Sequence, residues 1–511
     1  MPGQPDRALD LPEPSDSDET VLQAIEREEA ERSPVEVLAE NALQILHDRS
    51  DRIFYQDGKL VDVRVFADGN IEHKRMTKAL LVTHLRRYLD WPDKQLGEAA
   101  AHIVHHADPQ SFPRLAAIHT MPVLRPDFTL VPKGYDKTTG VLYVPSDRIA
   151  THKFKLTATL DEAKKAYKKL LYPFTDFPIA EEPDRVNAIA FVLTLVSRTA
   201  MDSLCPVLAI DASGQSSGKT LLGETFSLMF CGKRLSWVQV DKGLAEVEKG
   251  IKAALLNQER LIGVDNIVGL FKSPMFAGIV TGHETKIRKF GSLDRFSGTK
   301  DPNFILNGNN LKFDTDVRKR VFWVKMWHED PASRDKTQFR VQQDHGMELD
   351  KFLLENWIDY YDAAMTIIQA WRTAGMPRRK PVSSLDKYGE WESVIGGMLE
   401  FVGVKNFLAN HDERSLAGDE EQQELIRFMD LVVAKYPQAM TPHLGVPIDN
   451  LANDLMGDWK GVLSNVSGNS PESMRISLGK FLAAKFDQNI AGRKMNAKRK
   501  ANSRNIVIRS V

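Results

Sequence analysis

The segment from Ser213 to Thr220 (SGQSSGKT) constrains the fold of this 511-residue chain more than any other part of it. An apolar run, residues 206–210, precedes the segment, and an apolar stretch with helical spacing, residues 220–230, follows it. A glycine- and serine-rich loop between a buried strand and a helix presents successive backbone N–H groups, and the positive end of the helix dipole, to an anion. The segment therefore predicts a phosphate-binding loop at the edge of an α/β sheet.

Each part of this loop has an expected task in binding a nucleotide. The Lys219 ammonium would reach the β- and γ-phosphates, and the Thr220 hydroxyl would bind Mg²⁺. Ser213 stands where the usual motif has its first glycine, but a small residue still fits the turn. We therefore expect ATP and Mg²⁺ as ligands; the alternative is a Gly-Lys-Thr sequence in an ordinary loop. The residues expected to surround the phosphates with backbone N–H groups are Ser213, Gly214, Gln215, Ser216, Ser217 and Gly218.

A second apolar strand, residues 260–264, ends in Asp265 and Asn266. An acid at the end of such a strand holds Mg²⁺ in phosphate-loop enzymes, which predicts Asp265 as the metal-binding carboxylate. The alternative is a structural strand with a solvent-facing Asp265. Many ATPases place a glutamate after this acid to polarise the attacking water, whereas this chain has Asn266. Either the base lies elsewhere, with Glu248 and Glu284 as candidates, or hydrolysis is slow.

A third apolar strand, residues 303–308, ends in Asn309 and Asn310. An amide at this place can hold the lytic water or contact the γ-phosphate, and the pattern does not decide between the two asparagines. Arg318 and Arg320 follow, just before a further apolar strand. Arginines in this position are suited to reach the γ-phosphate of a neighbouring subunit and to stabilise charge in the transition state. A solvated basic turn is the alternative.

Together these segments resemble the superfamily III helicases, specifically the poxvirus-type primase-helicase ATPases of phages, plasmids and other mobile elements. The resemblance covers roughly residues 120 to 325. Besides the phosphate loop, it rests on Asp265-Asn266, Arg288-Lys-Phe-Gly291, Leu306-Asn-Gly-Asn-Asn-Leu311, Asp316 with Arg320, Pro122-Val-Leu-Arg-Pro-Asp127, and Gly134-Tyr-Asp with Thr139-Gly-Val-Leu.

The resemblance implies an AAA+-like α/β ATPase that forms a hexameric ring around single-stranded DNA and moves in the 3′-to-5′ direction. On this chain it implies Lys219 and Thr220 as the phosphate and Mg²⁺ residues, with Asp265 as the Mg²⁺ acid. It also implies Asn309 or Asn310 in the sensor position, and Arg320 as the finger supplied in trans. Family members often carry a primase module, and we find no pattern of one in this sequence.

Basic residues lie between the second and third strands at Lys286, Arg288 and Lys289. On an insertion of a ring ATPase, such residues would project into the pore and grip DNA phosphates. The alternatives are an exposed basic loop at a subunit interface, or an Arg288 that serves the nucleotide of the neighbour.

The last part of the chain predicts a second DNA-binding element. A helical apolar pattern, residues 474–486, precedes two strand patterns, residues 490–495 and 504–509. Helix, strand, basic turn and strand is the outline of a winged helix, whose helix enters the major groove while the wing follows the phosphates. A disordered basic tail is the alternative. Residues 491–511 contain no acid and seven basic residues: Arg493, Lys494, Lys498, Arg499, Lys500, Arg504 and Arg509.

The other segments complete the predicted organisation. The first 33 residues hold ten acids against three arginines, which is typical of a disordered arm that solvates the chain or docks on a basic partner. A small α+β domain follows, with helices at 35–47 and 78–88 and a hairpin turn at Asp57-Gly58. The predicted parts are residues 1–33, 34–175, 176–375 (the α/β P-loop core) and 376–511 (helical, ending in the winged helix), with a linker at 375–381.

Composition adds the remaining expectations. The chain is 42% hydrophobic and 27% charged with a net charge of −1, which is typical of a soluble globular protein of several domains. Two cysteines without metal-site spacing indicate reduced thiols. The neighbouring His102, His105 and His106 are expected to be ordinary histidines, since no cysteine lies near them. Without a membrane-span pattern or a secretion signal, we expect a cytoplasmic protein of a bacterial or phage-infected cell.

The sequence thus favours an ATP-driven, homo-oligomeric DNA helicase or translocase that acts in replication of a mobile element. A nucleotide-gated DNA-binding or assembly ATPase with weak hydrolysis is the second hypothesis, and Asn266 favours it. An ATPase of nucleic-acid packaging or phage defence is the third.

Overall fold

The computed structural model describes most of the chain in two compact units. One unit ends at His152; the other begins at Lys153 and also includes Leu124–Leu130. The four-part domain division remains a prediction. Within the described ranges, we find no helix that is both long and apolar enough to cross a membrane. The described residues are 33–66, 70–107, 110–212, 217–240, 243–257, 259–282, 286–288, 295–297, 302–327, 339–417, 420–441, 443–483, 485–486, 490–500 and 503–510; the side chains of 286–288, 295–297, 386, 415–417, 420–421, 499–500 and 503–504 are not described.

The N-terminal unit combines helices with two small sheets. One sheet is antiparallel, in the order β1-β2-β3, and the other has the order β4-β6-β5. The elements are α1 (Pro34–Arg49), β1 (Ile53–Gln56), β2 (Lys59–Val65), β3 (Ile71–Arg75), α2 (Lys78–Leu85), α3 (Asp93–His106), β4 (Ala117–His119), β5 (Gly134–Asp136), β6 (Val141–Tyr143) and α4 (Asp147–Thr151).

The predicted hairpin at Asp57-Gly58 is confirmed. Strands β1 and β2 pair antiparallel across these two residues, with Gln56 opposite Lys59. Both turn residues have left-handed backbones, with φ of 49° at Asp57 and 79° at Gly58. Two consecutive positive φ angles define the turn whose twist matches that of the flanking strands, and Asp-Gly is a favoured pair for it.

Five parallel strands form the main sheet of the C-terminal unit, in the order β15-β7-β13-β9-β8. Every residue of β7 is buried, as expected for a parallel sheet with both faces covered. The strands are β7 (Val207–Ala212), β8 (Trp237–Gln239), β9 (Leu261–Ile267), β13 (Asn303–Asn309) and β15 (Val321–Met326).

Helices pack around this sheet, and four shorter strands form two separate pairs. The helices are α5 (Leu160–Leu171), α6 (Glu182–Ser197), α7 (Lys219–Cys231), α8 (Leu244–Leu256), α9 (Pro274–Thr281), α10 (Thr315–Arg318), α11 (Arg340–His345), α12 (Leu349–Thr373), α13 (Gly389–Phe401) and α14 (His411–Ala417). The shorter strands are β10 (Leu270–Phe271) with β14 (Lys312–Phe313), and β11 (Lys286–Arg288) with β12 (Arg295–Ser297). Short 3₁₀ helices lie at Tyr172–Phe174, Arg198–Ala200, Asp386–Tyr388 and Pro437–Met440.

The segment predicted as a linker, residues 375–381, is packed against its neighbours. The Trp371 indole N–H donates to the Pro377 carbonyl at 2.8 Å, and the Arg379 guanidinium donates to the Phe407 carbonyl at 2.8 Å. A Cβ on Gly397 of α13 would lie 2.2 Å from the same Pro377 carbonyl oxygen, so this helix needs a glycine at the crossing.

Helices α13 and α14 pack on the layer that covers the main sheet. Trp391 of α13 is fully buried, and its indole N–H donates to the Thr194 hydroxyl of α6 at 2.9 Å. The Arg414 guanidinium of α14 pairs with the fully buried Asp184 of α6 at 3.2 Å. These helices therefore belong with the sheet, although they follow the predicted end of the ATPase segment.

The end of the chain has its own apolar core, which includes Leu425, Leu451, Leu478 and Ile508. Its sheet has the order β16-β18-β17, so that the first short strand pairs with the last one. Its elements, in chain order, are α15 (Glu420–Lys435), β16 (Val446–Pro447), α16 (Ile448–Met456), α17 (Pro471–Ala483), β17 (Arg493–Lys500) and β18 (Ser503–Ser510).

The predicted strands at 490–495 and 504–509 are confirmed as a hairpin, but the boundaries of the first were wrong. Residues predicted as a broad basic turn belong to β17, which pairs with β18 from Arg493–Ser510 to Lys500–Ser503. The lysines interrupt the alternation of apolar residues, so the sequence pattern placed the end of the strand too early. Backbone pairing continues past them because it does not depend on side-chain polarity.

Candidate functional site

The three predicted strand ends lie side by side in the main sheet. Strand β13 lies between β7, which leads into the predicted phosphate loop, and β9, which carries Asp265. The carboxyl ends of parallel strands meet at one edge of a sheet, where open α/β folds bind ligands. The strand order therefore brings together three segments that are far apart in the sequence.

Lys219 contacts two of the segments that meet at this edge of the sheet. Helix α7 begins at Lys219, directly after Gly218, whose left-handed backbone (φ 88°) turns the chain into the helix. The Lys219 ammonium donates to Asn309 Oδ1 at 2.7 Å and to Ser217 Oγ at 3.2 Å. Burial lowers the pKa of Lys219, and the Asp265 and Asp211 carboxylates oppose that shift.

The start of α7 suits an anion. Among the described residues, no side chain caps its N-terminus. The first backbone N–H groups of a helix are suited to bind phosphate oxygens. Thr220 lies in the first turn and is exposed. Ser213, Gly214, Gln215 and Ser216 lie outside the described residues, and their predicted role remains a prediction.

Asp265 is partly exposed at the end of β9, and its carboxylate is near enough to Lys219 to act on the pKa of the ammonium. Gln239 of the neighbouring strand β8 donates to Asp265 Oδ2 at 3.5 Å. A half-buried ammonium, the N-terminus of a helix and a carboxylate fit the phosphates and Mg²⁺ of a nucleotide. When bound, the metal would neutralise phosphate charge; Asp265 and Thr220 are the residues that would hold it.

The sequence reasoning missed Asp211. This carboxylate lies in β7, just before the loop, and accepts a hydrogen bond from the Leu311 N–H at 2.9 Å. Burial raises the pKa of Asp211. The Asn310 N–H donates to the Ala212 carbonyl at 3.1 Å, so two bonds fasten the end of β13 to the start of the loop. A single acid in an otherwise apolar strand was the signal available in the sequence.

The two asparagines at the end of β13 have different surroundings. The Asn309 side chain contacts Lys219, whereas Asn310 is exposed and has a left-handed backbone with φ of 50°. The contact places Asn309, rather than Asn310, beside Lys219. Its role as a sensor remains a prediction.

Of the two candidate bases, only Glu248 lies among the described residues, and no contact found there marks it as catalytic. Glu248 on α8 accepts a hydrogen bond from the Ser273 hydroxyl at 2.8 Å, at the start of α9. Glu284 lies outside the described residues.

Arg318 is the last residue of the short helix α10, and Arg320 follows it by two positions. The Arg320 side chain is 14% exposed, donates to the Asp316 carbonyl of its own chain and lies 3.7 Å from the Asp316 carboxylate. Arg318 lies near the buried His411, whose pKa is lowered by burial first and by the Arg318 charge in addition. To reach a neighbouring subunit, Arg320 has to leave these contacts.

The predicted insertion contains a β-hairpin. Strand β11, which includes Lys286 and Arg288, pairs antiparallel with β12. In the sequence, both strands lie between β9 and β13. The side chains of Lys286 and Arg288, and all of Lys289, lie outside the described residues. Their contact with DNA remains a prediction.

The basic residues of the C-terminal hairpin fall into two groups. Arg493 points toward α15, where its guanidinium pairs with Asp430 at 2.8 Å. Lys494 and Lys498 alternate with Met495 and Ala497, which face the apolar core, and so lie on the opposite face of β17. Arg499, Lys500 and Arg504 lie in the strands, but their side chains are outside the described residues.

The fold and the site together fit an α/β nucleotide-binding core. No protein-family model matches the chain, and no curated protein does. Solved structures with some likeness include the apo A form of the NrS-1 C-terminal region (13% identity, TM-score 0.39, covering 91% of this chain and 98% of that one). They also include the SCCmec type IV Cch active helicase (11%, 0.36, 90% and 92%) and the JCV helicase with a bound organic compound (11%, 0.22, 45% and 67%). Likeness at this distance does not define a family for the chain.

Proposed function

We propose that this protein is an ATP-dependent DNA helicase or translocase that works as a ring, in the replication of a phage, plasmid or other mobile element. The observation that carries the proposal is the contact of Lys219 with Asn309, beside the Asp265 carboxylate. These are the residues that the superfamily III resemblance assigns to phosphate, sensor and Mg²⁺. The resemblance supplies the step from a nucleotide site to DNA.

The residues perform separable tasks in the proposed reaction. The Lys219 ammonium and the first N–H groups of α7 bind the phosphates, and Asp265 and Thr220 hold Mg²⁺. Asn309 exchanges its bond with Lys219 for a contact to the γ-phosphate or the attacking water. That exchange gives the end of β13 two arrangements, with and without nucleotide, which is what a motor needs in order to couple hydrolysis to movement.

Unwinding of a forked DNA duplex tests this function directly. We expect the wild-type protein to separate the strands when ATP and Mg²⁺ are present, and not with a non-hydrolysable ATP analogue. Binding of ATP and DNA without strand separation would instead favour the alternative, a nucleotide-gated DNA-binding or assembly ATPase with weak hydrolysis. The position of Asn266 after the metal-binding acid supports that alternative.

The ring proposal predicts a finger in trans from Arg320. We expect Arg320→Ala to lower ATP turnover about a thousandfold, because a finger stabilises charge in the transition state. Mixing it with Lys219→Ala should restore activity, since about a quarter of the interfaces in a random 1:1 ring would join an intact loop to an intact finger. Lys319→Ala, which removes an exposed neighbouring charge, is the control. A folded but inactive mixture would rule out the role in trans.

We further propose that the C-terminal core is a winged helix that binds duplex DNA. Its order of helix, strand, two helices and hairpin, with β16 paired to β18, supports this proposal. Helix α17 would then be the recognition helix, with Arg475 and Lys480 exposed on it, and the β17–β18 hairpin the wing.

The two groups of basic residues in the wing predict different effects. Replacing Lys494 and Lys498 with alanine should weaken duplex binding and reduce the slope of log affinity against log salt by about one per lysine, because each phosphate contact releases a counterion. Arg493→Ala should mainly lower the melting temperature, since it removes the pair with Asp430. Fluorescence anisotropy at several salt concentrations measures the affinity and the slope, and thermal unfolding measures the melting temperature. Lys460→Ala is the exposed-lysine control. An unchanged slope in the double variant would contradict the proposal.

A further inference from the structure

A register shift lies between strands β9 and β13, directly at the nucleotide site. Leu306 pairs with Val264 and Gly308 pairs with Ile267, so that Asn307 alone opposes both Asp265 and Asn266. Two residues opposite one define a β-bulge, which is rare between parallel strands and common beside active sites, where it redirects a side chain. Here the bulge contains the predicted metal-binding acid.

The backbone of Asn266, within the bulge, also has an unusual conformation. Its φ is +58°, in the left-handed region that residues other than glycine adopt reluctantly. Asparagine tolerates that region better than most residues, and a glutamate in the same place would tolerate it less well. A left-handed residue directly after Asp265 changes the path of the backbone there, and with it the direction in which the Asp265 carboxylate points.

Asn307 supplies the bond that the bulge requires. An extra residue in a strand leaves its N–H without a partner in the ladder. The Asn266 N–H instead donates to the side-chain oxygen of Asn307 at 2.8 Å. The Asn307 side chain is fully buried, which makes this bond strong and its loss costly.

The next residue shows how closely the bulge fits β13. A Cβ on Gly308 would lie 2.4 Å from the Ile267 carbonyl oxygen and 2.5 Å from Leu311 Cδ2. The chain after the bulge thus passes against the backbone of β13, and only glycine fits there. Asn307 and Gly308 therefore both contact the bulged end of β9.

We propose that Asn307 is a positioning residue of the nucleotide site, which holds Asn266 in the left-handed conformation and thereby aims the Asp265 carboxylate at the Mg²⁺ of the bound nucleotide. This inference rests on the proposed function, because it assumes that Asp265 holds the metal. Asn307 touches neither nucleotide nor metal in this role; it acts through the backbone of Asn266.

Binding of a fluorescent ATP analogue, titrated with Mg²⁺ and again in EDTA, tests the proposal. We expect Asn307→Ala to weaken Mg²⁺-dependent binding 10- to 100-fold, roughly the effect of losing a residue that orients a metal ligand. Binding in EDTA should stay near the wild-type value, since the lysine and the helix start are untouched. Asn266→Gly in the same variant should restore most of the loss, because glycine adopts positive φ without strain.

Two further variants separate positioning from stability. Asn187→Ala also removes a fully buried amide, which bonds to the Trp323 carbonyl at 2.9 Å and the Leu408 N–H at 3.1 Å, and it should leave the Mg²⁺ dependence unchanged. If Asn307→Ala does not fold, Asn266→Val serves instead. It keeps Asn307 but disfavours positive φ, and should show the same loss of Mg²⁺-dependent binding.

Three outcomes would overturn the inference: a normal Mg²⁺ dependence in Asn307→Ala, an equal loss in EDTA, or a defect that Asn266→Gly does not relieve. A wild-type protein that binds ATP no better with Mg²⁺ than without would instead reject the proposed function, and this inference with it. Failure of the inference and failure of the proposed function are distinguished by the wild type, because the three outcomes above count only if the wild type shows normal Mg²⁺-dependent binding.

Discussion

Replacement of Lys219 by alanine is expected to lower DNA-stimulated ATP turnover at least about a hundredfold and to abolish unwinding of forked DNA. The Lys219 ammonium is half-buried at the start of α7 and is the one described cation in contact with Asn309. Alanine removes the charge that would stabilise the phosphates and leaves the Asn309 oxygen without this donor. Steady-state phosphate release with saturating single-stranded DNA measures the effect.

Lys233→Ala is a suitable control for this experiment. Lys233 is exposed and lies just beyond the C-terminal end of the same helix, so its removal changes the net charge equally without touching the site. We expect it to behave like the wild type. Strong unwinding by Lys219→Ala would show that this loop is not the motor and would remove the basis of the proposed function.

Replacement of Asn309 by alanine should lower turnover about a hundredfold as well, but for a different reason. The side chain that would hold the lytic water or the γ-phosphate is lost, whereas the lysine stays in place. ATP binding should therefore remain, and it can become tighter, because Lys219 no longer bonds to Asn309 in the empty site. Separate measurements of nucleotide affinity and of single-turnover hydrolysis distinguish this result from that of Lys219→Ala.

Asn310→Gly decides between the two asparagines that the sequence left as alternatives. Glycine removes the side chain but keeps the left-handed backbone that Asn310 adopts. We expect this variant to retain most of its activity, since only Asn309 contacts Lys219. A larger loss in Asn310→Gly than in Asn309→Ala would transfer the sensor role to Asn310.

The local part of this site was predictable from the sequence. The strand before Gly218 and the helix that begins at Lys219 lie in one continuous segment, so the sequence indicates both without knowledge of the fold. The polar ends of β9 and β13 were predictable for the same reason, because each one interrupts an apolar run. The Asp57-Gly58 turn likewise depends on two adjacent residues.

The bonds between these segments were not predictable. Asp211 bonds to Leu311 and Asn307 bonds to Asn266, in both cases across strands that are distant in the chain. Their partners follow from the strand order and from the register shift between β9 and β13, which depend on the packing of the whole sheet. Helix α3 was also missed, because its alanine-rich apolar face gives a weak pattern.

The packed segment at residues 375–381 has a practical consequence for dissecting the protein. Expression of a fragment that stops near residue 375 would remove Trp391 from its place against Thr194 and leave the buried Asp184 without Arg414. Such a fragment would expose an apolar face and an uncompensated charge, and would be prone to aggregate. A boundary after α14, ahead of the separate core that begins near Leu425, keeps every one of these contacts in the same polypeptide.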